Sequence, residues 1–256
     1  SAMGLILNPQ TGDILAMATV PDFDPNYPGR GEISWQRNKV ITDQFEPGST
    51  FKIVPLTAAV DQNTVSLWQE FNCENGSYTY AGHKIRDWDD FGLLTMPQIM
   101  ENSSNVGVIK IAETLSQNNL YHYSRDLGFG MQTHISLAGE HPGTLHQVSE
   151  WSKISLAEVS LGHEVAVTAL QLGMAYAAIA NGGFLMKPRL LKQIITSSGK
   201  KVYAEKPEVI RKVATKEVMD IMTDMLCRVV ETGTGTKAAI NGWSVAGKTG
   251  TAQKFI

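Results

Sequence analysis

The tightest constraint on this chain is a set of three short polar motifs: Ser49-Thr50-Phe51-Lys52, Ser103-Ser104-Asn105 and Lys248-Thr249-Gly250-Thr251. Each is weak alone, because Ser, Lys, Thr and Gly are common residues. In this order they supply a nucleophile with a built-in base, a proton-relay pair and an anion-binding strand. Read jointly, they ask for a fold that presents all three at one site and points to serine acyl transfer.

A serine hydroxyl is a poor nucleophile until a base takes its proton. Ser49 and Lys52 stand three apart, so on a helix they share a face. Lysine is ordinarily too basic to act as that base, but burial and a cationic neighbour such as Lys248 lower its pKa. A helix start at Ser49 also places partial positive charge where an oxyanion develops. Ser103 can pass a proton between Lys52 or Lys248 and a leaving group, and Asn105 offers a donor and an acceptor to a substrate amide. Gly250 lets a backbone or ligand approach closely. Lys248 and the Thr249 and Thr251 hydroxyls suit a carboxylate, and the Thr251 N–H suits an oxyanion. Taken singly, the simpler readings are a helix start with a surface lysine, a pair of N-cap residues and a glycine-containing edge strand.

Other features bound the answer. The chain has 256 residues, 43% of them hydrophobic, enough for one large domain or two small ones. Its net charge of −3, without a large basic block, argues against nucleic acid as a partner. No run approaches the length of a membrane-spanning helix, and no signal peptide is visible. Ser1-Ala2-Met3 reads as a tag remnant outside the fold, and a start of that kind leaves room for a native anchor or leader removed upstream. Cys73 and Cys227 cannot make a disulfide framework.

Apolar runs on either side of Asn8 to Asp13 predict a β-hairpin over residues 4–20, with Gly12 at positive φ. Residues 21–46 read as loop with one short helix. A helix begins at Ser49, although Pro55 in its second turn implies a bend or a 3₁₀ start. Residues 70–95 read as irregular loop or a small hairpin. Helices follow at about 96–102, after Asn105, and over 117–126, with the second motif as the break. Val165 to Ala180 is predicted as a buried helix stopped by Asn181-Gly182-Gly183. A hairpin around Ser197 to Lys200, an amphipathic helix through Val218 to Val229, and a strand from Trp243 into the third motif complete the pattern. That order is α+β.

With their flanks, these motifs resemble the transpeptidase domain of class B penicillin-binding proteins. The resembling segments are Phe45 to Lys52, Ser103 to Gly107, Leu127-Gly128-Phe129-Gly130, Thr168-Ala169-Leu170-Gln171 and Asn181-Gly182-Gly183. The opening Glu46-Pro47-Gly48-Ser49-Thr50-Phe51-Lys52 favours the division or sporulation branch. The resemblance implies a penicillin-binding/serine β-lactamase-like fold, an antiparallel sheet flanked by a helical subdomain, occupying residues 4–256. Because the family domain continues past the third motif with two strands and a C-terminal helix, the sheet is expected to be incomplete. It also implies a D,D-transpeptidase that cross-links peptidoglycan stem peptides and is inhibited by β-lactams, working without cofactor or metal. Ser49 would attack the D-Ala-D-Ala carbonyl with Lys52 as base, and Ser103 and Lys248 would relay the proton. Asn105 would hold the substrate amide, and Thr249 and Thr251, around Gly250, would bind the terminal carboxylate. The implied setting is the extracytoplasmic face of a bacterial inner membrane, with glycosyltransferase and divisome membrane proteins as partners of the full-length protein.

Two rivals keep the same serine. A penicillin-binding sensor or scaffold, or an inactive fragment, would be acylated without turnover. A serine β-lactamase needs a water-activating group that the sequence does not clearly show. Cys73, His83, Asp87, Asp89 and Asp90 match no standard zinc spacing and read as a solvated acidic loop with a buried cysteine. His141, His146 and His163 read as packing residues, Cys227 as core, and the five tryptophans as scattered.

Overall fold

A computed structural model describes residues 2–251. The chain opens with the expected hairpin. Strands β1 (Ala2–Asn8) and β2 (Asp13–Val20) pair antiparallel, and Gly12 in the turn has φ +72°. The hairpin begins earlier than expected. Ala2 and Met3, set aside as a tag remnant outside the fold, pair with Val20 and Thr19.

After a 3₁₀ turn at Ile33–Gln36 comes the short helix α1 (Lys39–Thr42). Gly48 to Lys52 then wind as a 3₁₀ turn that runs directly into α2 (Ile53–Asp61). This arrangement resolves the conflict at Pro55. The proline falls third in α2, where a backbone N–H has no intrahelical partner to lose. Residues Ile53 to Val60 of α2 are all buried, and α2 forms the axis of the core. Each large aliphatic side chain buried this way contributes about 1.5–3 kcal/mol.

Residues 70–95 form the small hairpin that was one of the two expectations, enclosed by a further pair of strands. Strand β3 (Glu70–Asn72) pairs antiparallel with β6 (Leu93–Thr95), and this pair encloses the hairpin of β4 (Ser77–Tyr80) and β5 (His83–Arg86). Helices α3 (Met96–Asn102), α4 (Asn105–Ala112) and α5 (Gln117–Asp126) follow as expected, with the second motif as the break. Thr95 and Gln98 form a capping box that starts α3. Both α4 and α5 pack on α2.

The predicted helix from Val165 is shorter than expected. Strand β7 (Thr144–Leu145), helix α6 (Ser155–Leu161) and strand β8 (Val165–Ala166) precede α7 (Ala169–Ala180). Val165 and Ala166 pair with Leu145 and Thr144, and Val167 bridges to Phe45. Thr168 and Gln171 then form a reciprocal capping box, which ends the extended segment and begins α7. Strand β9 (Phe184–Met186) pairs with β12 (Val209–Lys212), and β10 (Gln193–Ile195) with β11 (Lys201–Ala204) in the expected hairpin. The amphipathic helix α8 (Lys216–Glu231) lays its apolar face on α2, α3 and α7.

The strand predicted from Trp243 into the third motif is not formed within the described residues. Trp243 is 77% exposed, and the Gly247 N–H donates to the Leu226 carbonyl of α8 at 3.1 Å, so this stretch is tied to a helix rather than to a ladder. Every sheet among the described residues has two strands, which is the incomplete α+β arrangement expected.

Candidate active site

Ser49 sits in the 3₁₀ turn before α2, half-buried at a cleft of about 560 Å³. The cleft is lined by Gly48, Ser49, Ser103, Asn105, Thr249, Gly250 and Thr251, joined by Trp88, Leu161, His163 and Thr234. Six of the eight residues picked out from the sequence therefore meet in one depression. The other two, Lys52 and Lys248, lie beside it.

Lys52 is fully buried. Its Nζ donates to the Ser103 carbonyl at 2.6 Å and to Asn105 Oδ1 at 2.7 Å, and lies 3.3 Å from Ser103 Oγ. Burial drives its pKa well below the usual lysine value. The charge of Lys248 pushes the same way, and Asp87 opposes both. Lys248 borders a neighbouring apolar groove with Leu5, Phe45 and Tyr176, and its Nζ donates to the Thr249 carbonyl at 3.2 Å. Burial lowers its pKa to about 8. It thus acts on Lys52 through its field.

The second motif divides its work among three residues. Ser103 ends α3 in the left-handed region at φ +56°, a conformation that costs a non-glycine residue about 1–2 kcal/mol. Ser104 supplies the N-cap of α4, its Oγ accepting the Gly107 N–H at 2.9 Å. Because Ser104 does the capping, Ser103 and Asn105 are left to face Lys52. Asp87 anchors this turn. Its carboxylate accepts from Ser104 Oγ at 2.7 Å, from the Val106 N–H at 3.2 Å and from the Asn105 N–H. Asp87 was grouped with a solvated acidic loop, but it is a structural anchor of the motif. Cys73 is buried as expected, 3.5 Å from Ser104 Oγ.

The third motif lies against the first. A Cβ on Gly250 would come within 2.7 Å of Thr50 Cγ2, and one on Gly48 within 2.5 Å of the Thr251 carbonyl oxygen. Gly250 therefore permits the close backbone approach expected of it. Thr249 Oγ1 and Thr234 Oγ1 are 2.8 Å apart.

Five cleft residues were not singled out from the sequence as site residues, and Gly48 among them entered only as a flank of the first motif. Thr234 was read only as part of a helix break. Trp88 was read as scattered, yet it is 65% exposed at the cleft, with Nε1 donating to the Asn102 carbonyl at 2.7 Å. Leu161 carried no signal beyond being apolar. His163, read as packing, lines the cleft, and its Nδ1 is 2.8 Å from Glu158 Oε2.

Comparison with known proteins agrees with this architecture. The family model "Penicillin binding protein transpeptidase domain" matches residues 2–256. The chain is 35% identical over 256 residues to Stage V sporulation protein D of Bacillus subtilis, covering 98% of this chain and 40% of that protein. It is 33% identical over 252 residues to "Probable peptidoglycan D,D-transpeptidase PenA" of Neisseria meningitidis, covering 98% of this chain and 41% of that protein. It spans about two fifths of the length of these relatives. Penicillin-binding protein 3 of Mycobacterium tuberculosis, solved with aztreonam, superposes with a TM-score of 0.88 at 30% identity, over 98% of this chain and 58% of that one. The chain belongs to the penicillin-binding protein transpeptidase domain family.

Proposed function

We propose that this domain is a serine D,D-transpeptidase that cross-links peptidoglycan stem peptides through an acyl-enzyme on Ser49. The observation that carries this reading is the buried Lys52, held by Ser103 and Asn105 beneath the cleft that Ser49 lines. A neutral amine has two N–H donors and one lone pair. The Ser103 carbonyl and Asn105 Oδ1 accept the two donors, which leaves the lone pair for a hydroxyl proton. Ser49 Oγ attacks the D-Ala-D-Ala carbonyl while its proton passes to Lys52. The peptide C–N bond breaks, and the departing D-alanine nitrogen receives a proton through Ser103 Oγ. The N–H groups of Ser49 and Thr251 stabilise the oxyanion. Asn105 orients the substrate amide, and Thr249, Thr251 and the Lys248 charge favour the terminal carboxylate. An amine from a neighbouring stem peptide then takes the acyl group.

The printed activity of the Neisseria relative and the aztreonam complex of the Mycobacterium neighbour support this reading and β-lactam sensitivity with it. In this reading the domain works in the bacterial cell envelope, on the outer side of the inner membrane, with glycosyltransferase and divisome proteins beside the whole protein. No helix among the described residues is long and apolar enough to cross a membrane. The test is incubation with a fluorescent penicillin followed by intact mass and peptide mapping. A single adduct on Ser49, lost in Ser49→Ala, is expected; labelling that survives that substitution would sink the assignment.

A further inference from the structure

His163 and Glu158 form a polar pair in the cleft that the steps above leave unused. His163 lines the same cleft as Ser49, Ser103 and Asn105. Its Nδ1 is 2.8 Å from Glu158 Oε2, and its backbone N–H donates to the Glu158 carbonyl at 2.9 Å. One residue of α6 thus holds both the ring and its backbone. With Nδ1 engaged by a carboxylate, Nε2 is the ring nitrogen left for a partner from outside the chain. No hydrogen bond engages Nε2 among the described residues, and the side chain is 41% exposed.

The loop carrying this ring is locked to the nucleophile. The Gly48 N–H donates to the Gly162 carbonyl at 3.1 Å, and the Glu164 N–H donates to Glu46 Oε1 at 3.3 Å. On either side of His163, Gly162 has φ +83° and Glu164 has φ +52°. A non-glycine residue in that region is strained, and such strain persists where the surroundings enforce it.

Resolution of an acyl-enzyme by an amine moves two protons at opposite ends of one tetrahedral centre. The attacking nitrogen must lose one, and Ser49 Oγ must gain one to leave. Lys52 serves the serine end. We propose that His163, held by Glu158, is the base that accepts the proton of the attacking amine. The inference rests on the acyl-transfer reading and assigns its second half. The amine lone pair forms the new C–N bond, and its N–H proton passes to Nε2. The C–Oγ bond then breaks as Oγ takes a proton that Lys52 has gained from solvent after acylation, and His163 returns the amine's proton to solvent, so no net proton is left on either residue.

The charged groups acting on the ring fit this role. Glu158 on α6 raises its pKa most, burial opposes, Glu46 ahead of the nucleophile adds to the rise, and Lys52 subtracts from it. Glu158 thereby makes the ring a stronger base than an ordinary histidine.

The test uses the 256-residue chain, a thioester acyl donor ending in D-alanine and a D-amino acid as acceptor amine. Amide and acid products are separated, and rates are expressed per unprotonated amine. For His163→Gln the ratio of aminolysis to hydrolysis falls about tenfold or more, while a fluorescent penicillin still labels Ser49. For Glu158→Gln the ring remains but loses the carboxylate that raises its pKa, so the acid-side limb of aminolysis moves to lower pH. A merely structural role would not move that limb. Unchanged ratios and limbs in both variants would overturn the inference, as would aminolysis and hydrolysis falling together. If the unaltered chain forms no penicillin adduct, the acyl-transfer reading falls and this inference with it. An adduct with unchanged ratios removes this inference alone.

Discussion

Gly48 and Gly162 lie backbone to backbone, the N–H of Gly48 donating to the carbonyl of Gly162 at 3.1 Å. Both have positive φ, and a Cβ built on Gly162 would sit 2.2 Å from the Gly48 carbonyl oxygen. This contact fastens the end of α6 to the residue before Ser49. Gly162→Ala combines a left-handed alanine with a collision against backbone, so it should cost about 2–4 kcal/mol and disturb Ser49. Gly242→Ala is the control. Gly242 has φ +81° but nothing within 4 Å of its would-be Cβ, so it should lose only about 1–2 kcal/mol and label normally. Urea midpoints and penicillin labelling of the two variants check this; equal losses would refute the packing argument.

The pH dependence of acylation should follow Lys52. As the proposed base, Lys52 is active when neutral, so the rate should rise as pH passes its pKa, which burial and Lys248 hold well below the usual value. Lys248→Gln removes a positive neighbour and makes the charged form of Lys52 easier to keep. Its pKa then rises, and the acid-side limb of acylation moves to higher pH. Lys248 itself titrates at about 8. In the unaltered protein, affinity for a carboxylate-bearing β-lactam should decline as pH rises through that value. Lys52→Arg should slow acylation by about a thousandfold or more, since a guanidinium stays protonated. A limb that stays in place in Lys248→Gln would show that the two charges do not communicate.

Much of this was legible because it is local. The first hairpin, the break at Ser103, the hairpin at Ser197 to Lys200 and α8 follow from apolar spacing and turn residues within a few positions. The three motifs were legible because their order carries more information than any one of them. The start of α7 was misread although its signal, Thr168 three before Gln171, was present; the apolar run through Val165 outweighed it. The strand expected before Lys248 required a partner strand, and local residues cannot supply one. His163 was passed over because Glu158 lies five residues back, off any helical pairing distance. The pair forms only because Gly162 turns the chain into the left-handed region. Trp88 and Thr234 join the cleft through tertiary packing that leaves no mark in nearby sequence.

Asp87 offers a test of the second motif. Its carboxylate accepts from Ser104 Oγ, the Asn105 N–H and the Val106 N–H at the start of α4. Asp87→Ala leaves these donors unsatisfied and removes a negative charge from a helix N-terminus, a loss of about 2–4 kcal/mol. Asp87→Asn keeps one acceptor and should recover part of that. Because Asn105 and Ser103 position Lys52, acylation at a temperature where the variant is fully folded should also slow. Thermal unfolding and labelling rates measured side by side decide the matter. A variant that loses stability but labels at the normal rate would confine Asp87 to the fold.

The hydroxyl pair of Thr234 and Thr249 ties the loop after α8 to the third motif. Their Oγ1 atoms are 2.8 Å apart, and Gly233 is packed on the Glu101 carbonyl, 2.4 Å from where its Cβ would be. Thr234→Val keeps the shape and removes one hydroxyl. An exposed neutral hydrogen bond contributes about 1 kcal/mol, so the melting temperature should change little. Thr249 would lose the partner that fixes its rotamer, and a β-lactam carboxylate would meet a less ordered site. Acylation efficiency should fall about three- to tenfold, and the loss should appear in the concentration dependence rather than in the maximal rate. Titrating the acylation rate against penicillin concentration separates the two. A fall in the maximal rate with unchanged concentration dependence would place Thr234 in the chemistry at Ser49 instead of in binding.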